Sequence, residues 1–277
     1  MLERHRHEAS ARCAPGAIAE TSERSSQGRL VSGGMLIINA DDWGGWKSAT
    51  DAALACYEKN RITSVSAMVF MDDSERAAAL ARDLGMDVGL HVNLNQDFSA
   101  SHCPTHLKQN HSRIKRFLKR NRYAQVLYNP FLRKEFRDVY EAQAEEFVRL
   151  YGKQPSHIDG HRHMHLCTNM LLDGVIPPGQ KVRRSFSFWP GEKSSLNRAY
   201  RGFVDKRLVR RHRTTDYFFA LSQCLQGKRL ARVTELAKEA KVELMAHPEK
   251  VEEYAWLMSD DYLRVVRDLQ TATYQLV

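Results

Sequence analysis

A parallel α/β fold of barrel type is predicted for this chain of 277 residues. Three observations carry the prediction. Short apolar, β-rich runs alternate with helix-patterned segments from Met35 onward. Chemistry-bearing side chains cluster at the ends of those runs, where parallel α/β folds gather their sites. Six or seven such strand–helix units suggest a closed or nearly closed barrel.

The elements follow in order. Residues 35–39 form a short apolar strand. Residues 47–60 carry Ala52, Ala53, Ala55, Cys56 and Tyr57 at helical spacing. Residues 62–70 are β-rich. Residues 74–84 are an alanine-rich helix, with Ser74 as its expected cap. Residues 88–94 are a strand, and residues 131–151 a long amphipathic helix. Pro155 leads into a strand near Asp159. Further strands are expected over 181–186, 216–221 and 242–246, with helices over 195–211 and 228–240. The segments 95–129 and 189–215 look unlike simple connections and are expected to shape a pocket. Residues 1–34 have no hydrophobic run and no periodicity, so they read as a disordered extension. They also lack the apolar middle of a secretory signal. The domain is therefore expected over 35–277, with Met35 as a natural start.

Composition narrows the class. The hydrophobic share of 43% and charged share of 27% are those of a globular protein, which excludes wholesale disorder. No run approaches the roughly 18 apolar residues of a membrane span. The five cysteines, Cys13, Cys56, Cys103, Cys167 and Cys224, are odd in number and scattered, with no C-x-x-C pair. A disulfide framework is not expected, and a reducing, cytoplasmic setting fits better.

Four segments carry chemistry. In Asn39-Ala40-Asp41-Asp42-Trp43-Gly44 two adjacent carboxylates follow a strand. An Asp there is most often a turn or cap residue. Two in a row point in different directions, so one can bind a metal while the other accepts a proton. His91, within GLHVNL, reads by itself as a hydrogen-bonded structural residue. In His157-Ile158-Asp159-Gly160-His161-Arg162-His163-Met164-His165, polar residues take every second position. On a strand, His157, Asp159, His161, His163 and His165 would share one face. Five polar groups on one face are hard to explain as core packing and suit a divalent metal with supporting partners. Gly160 is a candidate bend in that strand. The fourth segment is Glu243-Leu244-Met245-Ala246-His247-Pro248, whose His247 by itself reads as a turn residue. Together, an Asp and two His from three strands make an open three-ligand site. A water there, with a carboxylate base and a His acid, reads as metal-assisted hydrolysis.

NADDWG, GLHVNL, HIDGHRHMH and ELMAHP, in that order, resemble the YdjC-like carbohydrate deacetylase family, which includes chitooligosaccharide deacetylases. The resemblance covers nearly the whole chain after the extension. It implies a distorted seven-stranded, TIM-like (β/α) barrel, one divalent metal ion (magnesium or zinc), and removal of an N-acetyl group from an amino sugar. Asp42, His91 and His161 would bind the metal, Asp41 would be the general base and His247 the general acid. Asp159 would orient an imidazole as a supporting carboxylate, and His163 is a further candidate near the metal or substrate. Arg183 is a candidate partner that tunes Asp41, or else a surface arginine. Two positions depart from the family's pattern. Trp43 stands where Phe is more common, and Glu249 follows His-Pro where Gly is usual, which bears on the geometry around His247.

The formal charge is +9, from 42 basic and 33 acidic residues. The excess sits in two segments. Residues 106–137 hold ten Lys and Arg against one acid, and residues 181–213 hold eleven against two. These are solvated helix faces or docking surfaces for an anionic partner: a membrane surface, a lipid-linked sugar or an acidic polysaccharide. No zinc finger, RNA-binding aromatic signature or basic zipper is present, so specific nucleic-acid binding is not expected. Base rates favour a homodimer. Two competing readings stay open. A metal-dependent phosphoesterase would hold two ions, and a non-catalytic sugar-binding barrel would turn nothing over.

Overall fold

A computed structural model describes residues 33–121 and 123–277. The extension expected over 1–34 lies outside these residues except for Gly33 and Gly34. Among the described residues there are six strands and ten α-helices. The strands are β1 (Met35–Trp43), β2 (Ser64–Ala67), β3 (Val88–Val92), β4 (Ile158–Gly160), β5 (Tyr217–Ala220) and β6 (Lys241–Ala246). The helices are α1 (Lys47–Glu58), α2 (Ser74–Asp83), α3 (Thr105–Lys119), α4 (Arg133–Tyr151), α5 (Thr168–Leu172), α6 (Ser195–Val209), α7 (Leu221–Cys224), α8 (Arg229–Ala237), α9 (Val251–Leu257) and α10 (Asp260–Val266).

The strands form one sheet in the order β4-β3-β2-β1-β6-β5, and every pairing is parallel. β1 is central and buried along all nine residues, which is why it reads as a nearly unbroken apolar run. Its alternation sorts the two faces. Leu36, Ile38 and Ala40 join the large apolar core with α1, α2 and α4 residues such as Ala53, Ala77 and Phe147. Met35 and Ile37 belong to a smaller cluster with Ala272, Tyr274 and Val277. Asn39 and Asp41 continue that second face. Register then aligns polar residues across the sheet: Asn39 lies opposite Ser64, Ser66 opposite Gly89, His91 opposite Asp159, and Ile37 opposite Glu243. One face of the sheet is thus apolar and helix-covered, and the other carries a row of polar groups. Gly89 is required in that row, because a Cβ there would lie 2.3 Å from the His157 ring.

The expected seventh strand over 181–186 is replaced by isolated bridges, Ile158 with Val182 and Lys181 with Arg213. Lys181 and Arg183 still bond the β4 edge, through Ile158 N–H to Lys181 O and Arg183 N–H to Ile158 O. Ser187 N–H bonds Phe218 O on β5, at the opposite edge. The segment therefore passes from one sheet edge to the other. β4 ends at Gly160, so no edge remains along which a longer pairing could run. The sheet is curled and holds six strands among the described residues, one fewer than the distorted seven-stranded barrel the resemblance implies.

Other expectations change locally. Asp73, not Ser74, occupies the cap position of α2. Ser74 Oγ instead accepts from Met71 N–H and donates to Met68 O, 3.0 Å each. Within 95–129 lies α3, whose buried Leu107, His111, Ile114 and Leu118 follow helical spacing. Within 189–215 lies α6. No helix among the described residues is long and apolar enough to cross a membrane.

His111 provides a test of α3 packing. Its ring centroid lies 4.4 Å from that of Phe98, and burial pulls its pKa down to about 4. Between about 6.5 and 4 the unfolded chain takes up a proton that the native state refuses. Stability from this site is full above pH 6.5 and is lost as pH falls through that window. His111→Phe should flatten this loss by on the order of 1–3 kcal/mol, measured by urea denaturation at pH 7 and pH 4.5.

Candidate metal and catalytic site

The polar row converges at the C-terminal ends of β1, β3 and β4. Asp41 and Asp42 close β1, where the register with β2 shifts between Ala40 and Trp43. Asp42 adopts φ 64°, a left-handed conformation uncommon for a non-glycine residue. A regular strand would send neighbouring side chains to opposite faces. The irregularity instead brings both carboxylates to one imidazole. His91 Nε2 lies 3.3 Å from Asp42 Oδ1 and 4.0 Å from Asp41 Oδ2.

His161 Nδ1 is 2.8 Å from Asp42 Oδ1. Donor atoms of Asp42, His91 and His161 lie within 4.8 Å of one another, and all three residues are buried. These are the three expected ligands, from three parts of the chain. The other nitrogen of His91, Nδ1, is 2.8 Å from Asp159 Oδ1. That bond places a ring proton on Nδ1 and turns Nε2 toward Asp42, the nitrogen that carboxylate-supported imidazoles present to a metal. One carboxylate and two imidazoles are a donor set that suits zinc or a similar divalent ion, so the residues fit the implied metal.

Arg183 is not a surface residue. It is fully buried, and its guanidinium forks onto Asp41, with Nη1 to Oδ2 at 2.8 Å and Nη2 to Oδ1 at 2.7 Å. The same group reaches Asp159 Oδ2 at 2.6 Å and Glu243 Oε1 at 2.7 Å. One cation thus joins three carboxylates. Asp41, His91 and Asp159 also bring three donor atoms together, but the guanidinium already bonds both carboxylates there. That arrangement disfavours a second metal beside the first.

Further hydrogen bonds complete the row. Asn39 Nδ2 donates to Asp41 Oδ1 at 3.0 Å and to Ser66 Oγ at 2.8 Å. Ser66 Oγ donates to Asp159 Oδ2 at 2.8 Å. His157 Nε2 sits 3.0 Å from the same hydroxyl, and its ring stacks on Tyr274. Tyr274 Oη donates to Glu243 Oε2. Sequence reasoning assigned no role to Asn39, Ser66, Glu243 or Tyr274. Glu243 had one visible signal, an acid inside an otherwise apolar strand.

Burial and charge set the ionisation. Burial would raise the Asp159 pKa, but Arg183 and His91 hold it well below the usual range. Burial opposes charge on Asp42 too, and the His161 and His91 hydrogen bonds overcome it, so its pKa is lowered. Desolvation works against a charged His91, yet Asp159 and Asp41 push it up to about 10. An anionic pocket that favours a cation at His91 Nε2 is equally suited to a metal. Glu243 is raised to about 7 by burial, against the pull of Arg183.

The five alternating polar residues do not share one strand face. After Gly160 the chain enters a tight turn over His161–Leu166, with positive φ at Arg162 and His163. His161 joins Asp42. His163 packs edge-on against Phe186 at 4.5 Å. His165 Nε2 turns back to Arg183 O at 3.0 Å. His157 stays on the sheet beneath Asp159.

His247 follows β6 and is partly exposed, with Nε2 3.9 Å from Asp42 Oδ2. Its backbone N–H donates to Glu253 Oε2 at 2.7 Å, and Lys250 Nζ lies 3.2 Å from Nδ1. Glu249 turns away, accepting from Trp46 Nε1 at 2.5 Å, so it leaves His247 facing the cluster. Trp43 is wholly buried and packs in the core.

The model of the family described as YdjC-like protein matches residues 35–270. A chitooligosaccharide deacetylase of Serratia marcescens is 29% identical over 221 residues, 77% of this chain and 81% of that protein. A carbohydrate deacetylase of Mus musculus is 28% identical over 246 residues, 77% of each chain. A crystal structure from Enterococcus faecalis V583, of a protein described as a candidate for cellobiose-phosphate cleavage, superposes with TM-score 0.62 at 16% identity, covering 88% of this chain and 98% of that one. At that identity it speaks for the fold alone.

Proposed function

Because this chain belongs to the YdjC-like protein family, we propose that it is a metal-dependent carbohydrate deacetylase that removes an N-acetyl group from an amino sugar. The observation that carries this reading is the buried trio Asp42, His91 and His161 beside a second, separately held carboxylate, Asp41. The named activities of the relatives support the substrate class. The catalytic unit is taken as residues 35–277. A cytoplasmic setting belongs to the same proposal, supported by the unpaired, buried state of Cys56, Cys103, Cys167 and Cys224.

Asp42, His91 and His161 would hold one divalent ion, which supplies Lewis acidity for the acetamide carbonyl and for an attacking water. Asp41 accepts the proton that water loses as its oxygen adds to the carbonyl carbon. The Arg183 fork and Asn39 fix the plane of Asp41, so its position does not depend on the substrate. Lys250 donating to Nδ1 of His247 leaves the ring proton on Nε2, the nitrogen that faces the cluster. From there His247 protonates the departing nitrogen as the C–N bond breaks, while its Nδ1 takes up the proton that Lys250 donates, so the ring stays neutral. Acetate and a free amino sugar result. Asp159 keeps His91 in the tautomer the ion requires.

Acetate release should be measured from N-acetylated oligosaccharides and lipid-linked amino sugars, with zinc- or magnesium-loaded protein. One ion per chain is expected, with turnover that a chelator abolishes and added metal restores. Two ions per chain, with phosphate released from phosphate esters, would replace this reading by a phosphoesterase. Sugar binding without acetate release would leave a binding barrel.

A further inference from the structure

The segment 270–277 covers the polar face of the sheet at the N-terminal ends of the strands, the end away from the candidate site. Leu36 N–H donates to Gln270 O and Ala272 N–H to Leu36 O, 2.9 Å each. Tyr274 N–H donates to Asp87 Oδ2 at 3.0 Å, and Lys181 Nζ donates to Tyr274 O at 2.5 Å. These bonds hold the Tyr274 side chain inside the sheet, wholly buried, with its ring stacked on His157 at 3.7 Å. Tyr274 lies beyond residue 270, where the family match ends.

From this ring an unbroken line of contacts reaches Asp41. Tyr274 Oη donates to Glu243 Oε2. Glu243 Oε1 accepts from Arg183 Nε at 2.7 Å. The same guanidinium forks onto Asp41. Its Nη2 is contested, because Asp41 Oδ1 and Glu243 Oε1 each lie 2.7 Å from it. Phe218 stacks on the guanidinium at 4.9 Å, which limits tilting and leaves sliding in the plane as its way to move between its acids. Burial, with the charge of Glu243, raises the Tyr274 pKa well above the ordinary range, so the hydroxyl keeps its proton and donates. It thereby occupies Oε2 with a neutral donor. Without it, Oε2 is buried and unpaired, and Glu243 turns further onto the guanidinium it already bonds, drawing Nη2 away from Asp41.

We propose that Tyr274 is a positioning residue for Asp41: its hydroxyl holds Glu243 in the pose that leaves the Arg183 fork to the carboxylate assigned above as general base. The kinetic consequence rests on the deacetylase reading; the geometry does not.

A double-mutant cycle between Tyr274→Phe and Asp41→Asn tests this, on zinc-loaded full-length protein with the acetylated sugars named above. Tyr274→Phe keeps the ring and its stack on His157 and removes only the hydroxyl. It should lower kcat roughly 10-fold, the low end for loss of an outer partner that orients a site group, with KM and one ion per chain unchanged. In the Asp41→Asn background the same change should have no further effect, because the carboxylate it serves is gone. Glu243→Gln should lower kcat by roughly 10- to 100-fold with the same dependence on Asp41. An unchanged kcat in Tyr274→Phe, a loss of equal size in both backgrounds, or a change in KM alone would overturn the proposal and keep the deacetylase. A second readout needs no turnover. The Arg183 Nε–H resonance, assigned by its disappearance in Arg183→Lys, should exchange with solvent roughly 5- to 10-fold faster in Tyr274→Phe, the loosening expected from one lost hydrogen bond. Where the parent releases acetate, the cycle decides. Where it releases none, faster exchange keeps the positioning of the Asp41 clamp and removes the deacetylase reading, and unchanged exchange removes both. Thermal melting identifies an unfolded variant, and the Glu243→Gln cycle decides the matter if Tyr274→Phe does not fold.

Discussion

Asp41→Asn should lower kcat for acetate release by roughly 10²–10⁴-fold, the range for loss of a positioned general base. The substitution preserves shape and removes the ability to accept a proton. One ion per chain should still bind, because Asp42, His91 and His161 are untouched. That retention separates the loss of a base from collapse of the site. The amide introduces one defect: an Asn NH₂ would face a guanidinium N–H where Asp41 now accepts two hydrogen bonds from Arg183. A modest drop in melting temperature should accompany the kinetic loss. Full activity in Asp41→Asn would move the base role elsewhere.

Arg183→Met should destabilise the fold by about 3–5 kcal/mol, the usual cost of leaving buried charge uncompensated. Asp41, Asp159 and Glu243 all bond this guanidinium, and all are buried. Removing it leaves three carboxylates around a protonated or metal-bound His91. The cost should shrink as pH falls. In the parent protein Arg183 holds the Asp159 pKa well below its usual range. A depressed carboxylate contributes stability that is present above its unfolded pKa and lost as pH falls through the folded value. Without Arg183 that contribution is absent, so parent and variant should converge in acid. Urea denaturation at pH 3 and pH 8 measures both terms, since the Asp159 contribution is lost only below the usual carboxylate pKa near 3.8. A cost under about 1 kcal/mol at pH 8 would show that the carboxylates are neutralised by another route. Arg183→Lys should recover only part of the loss, since an ammonium cannot fork onto Asp41.

Much of the site was legible in the sequence because its residues break local rules. An Asp pair after an apolar run, a His inside GLHVNL and a polar residue at every second position of 157–165 are each poor core packing. Their order along the chain pointed to one cluster, and Asp42, His91 and His161 do meet. The strand–helix alternation likewise announced a parallel sheet, since hydrophobic periodicity is a property of neighbouring residues. Helix α3 was equally periodic at 107, 111, 114 and 118. Its basic residues read as a solvated helix face or a docking surface, without bounds for a helix, because the segment falls within the pocket-shaping stretch 95–129.

Long-range register and backbone irregularity were not legible. Periodicity alone sets adjacent side chains on opposite faces, yet a register shift and φ 64° at Asp42 bring Asp41 and Asp42 to the same imidazole. The same local logic placed five polar residues on one strand face, but the strand stops at Gly160 and the turn sends His163 and His165 elsewhere. The role of Arg183 depends on carboxylates 142, 24 and 60 residues distant along the chain, at Asp41, Asp159 and Glu243. Local composition cannot report such a charge balance, because the cost of burying each group is fixed only by which partners the fold brings to it. The sequence by itself pointed to a parallel α/β fold and named Asp42, His91 and His161, which the fold brings together. Tertiary structure alone decided that the sheet holds six strands among the described residues and that one buried arginine joins three acids.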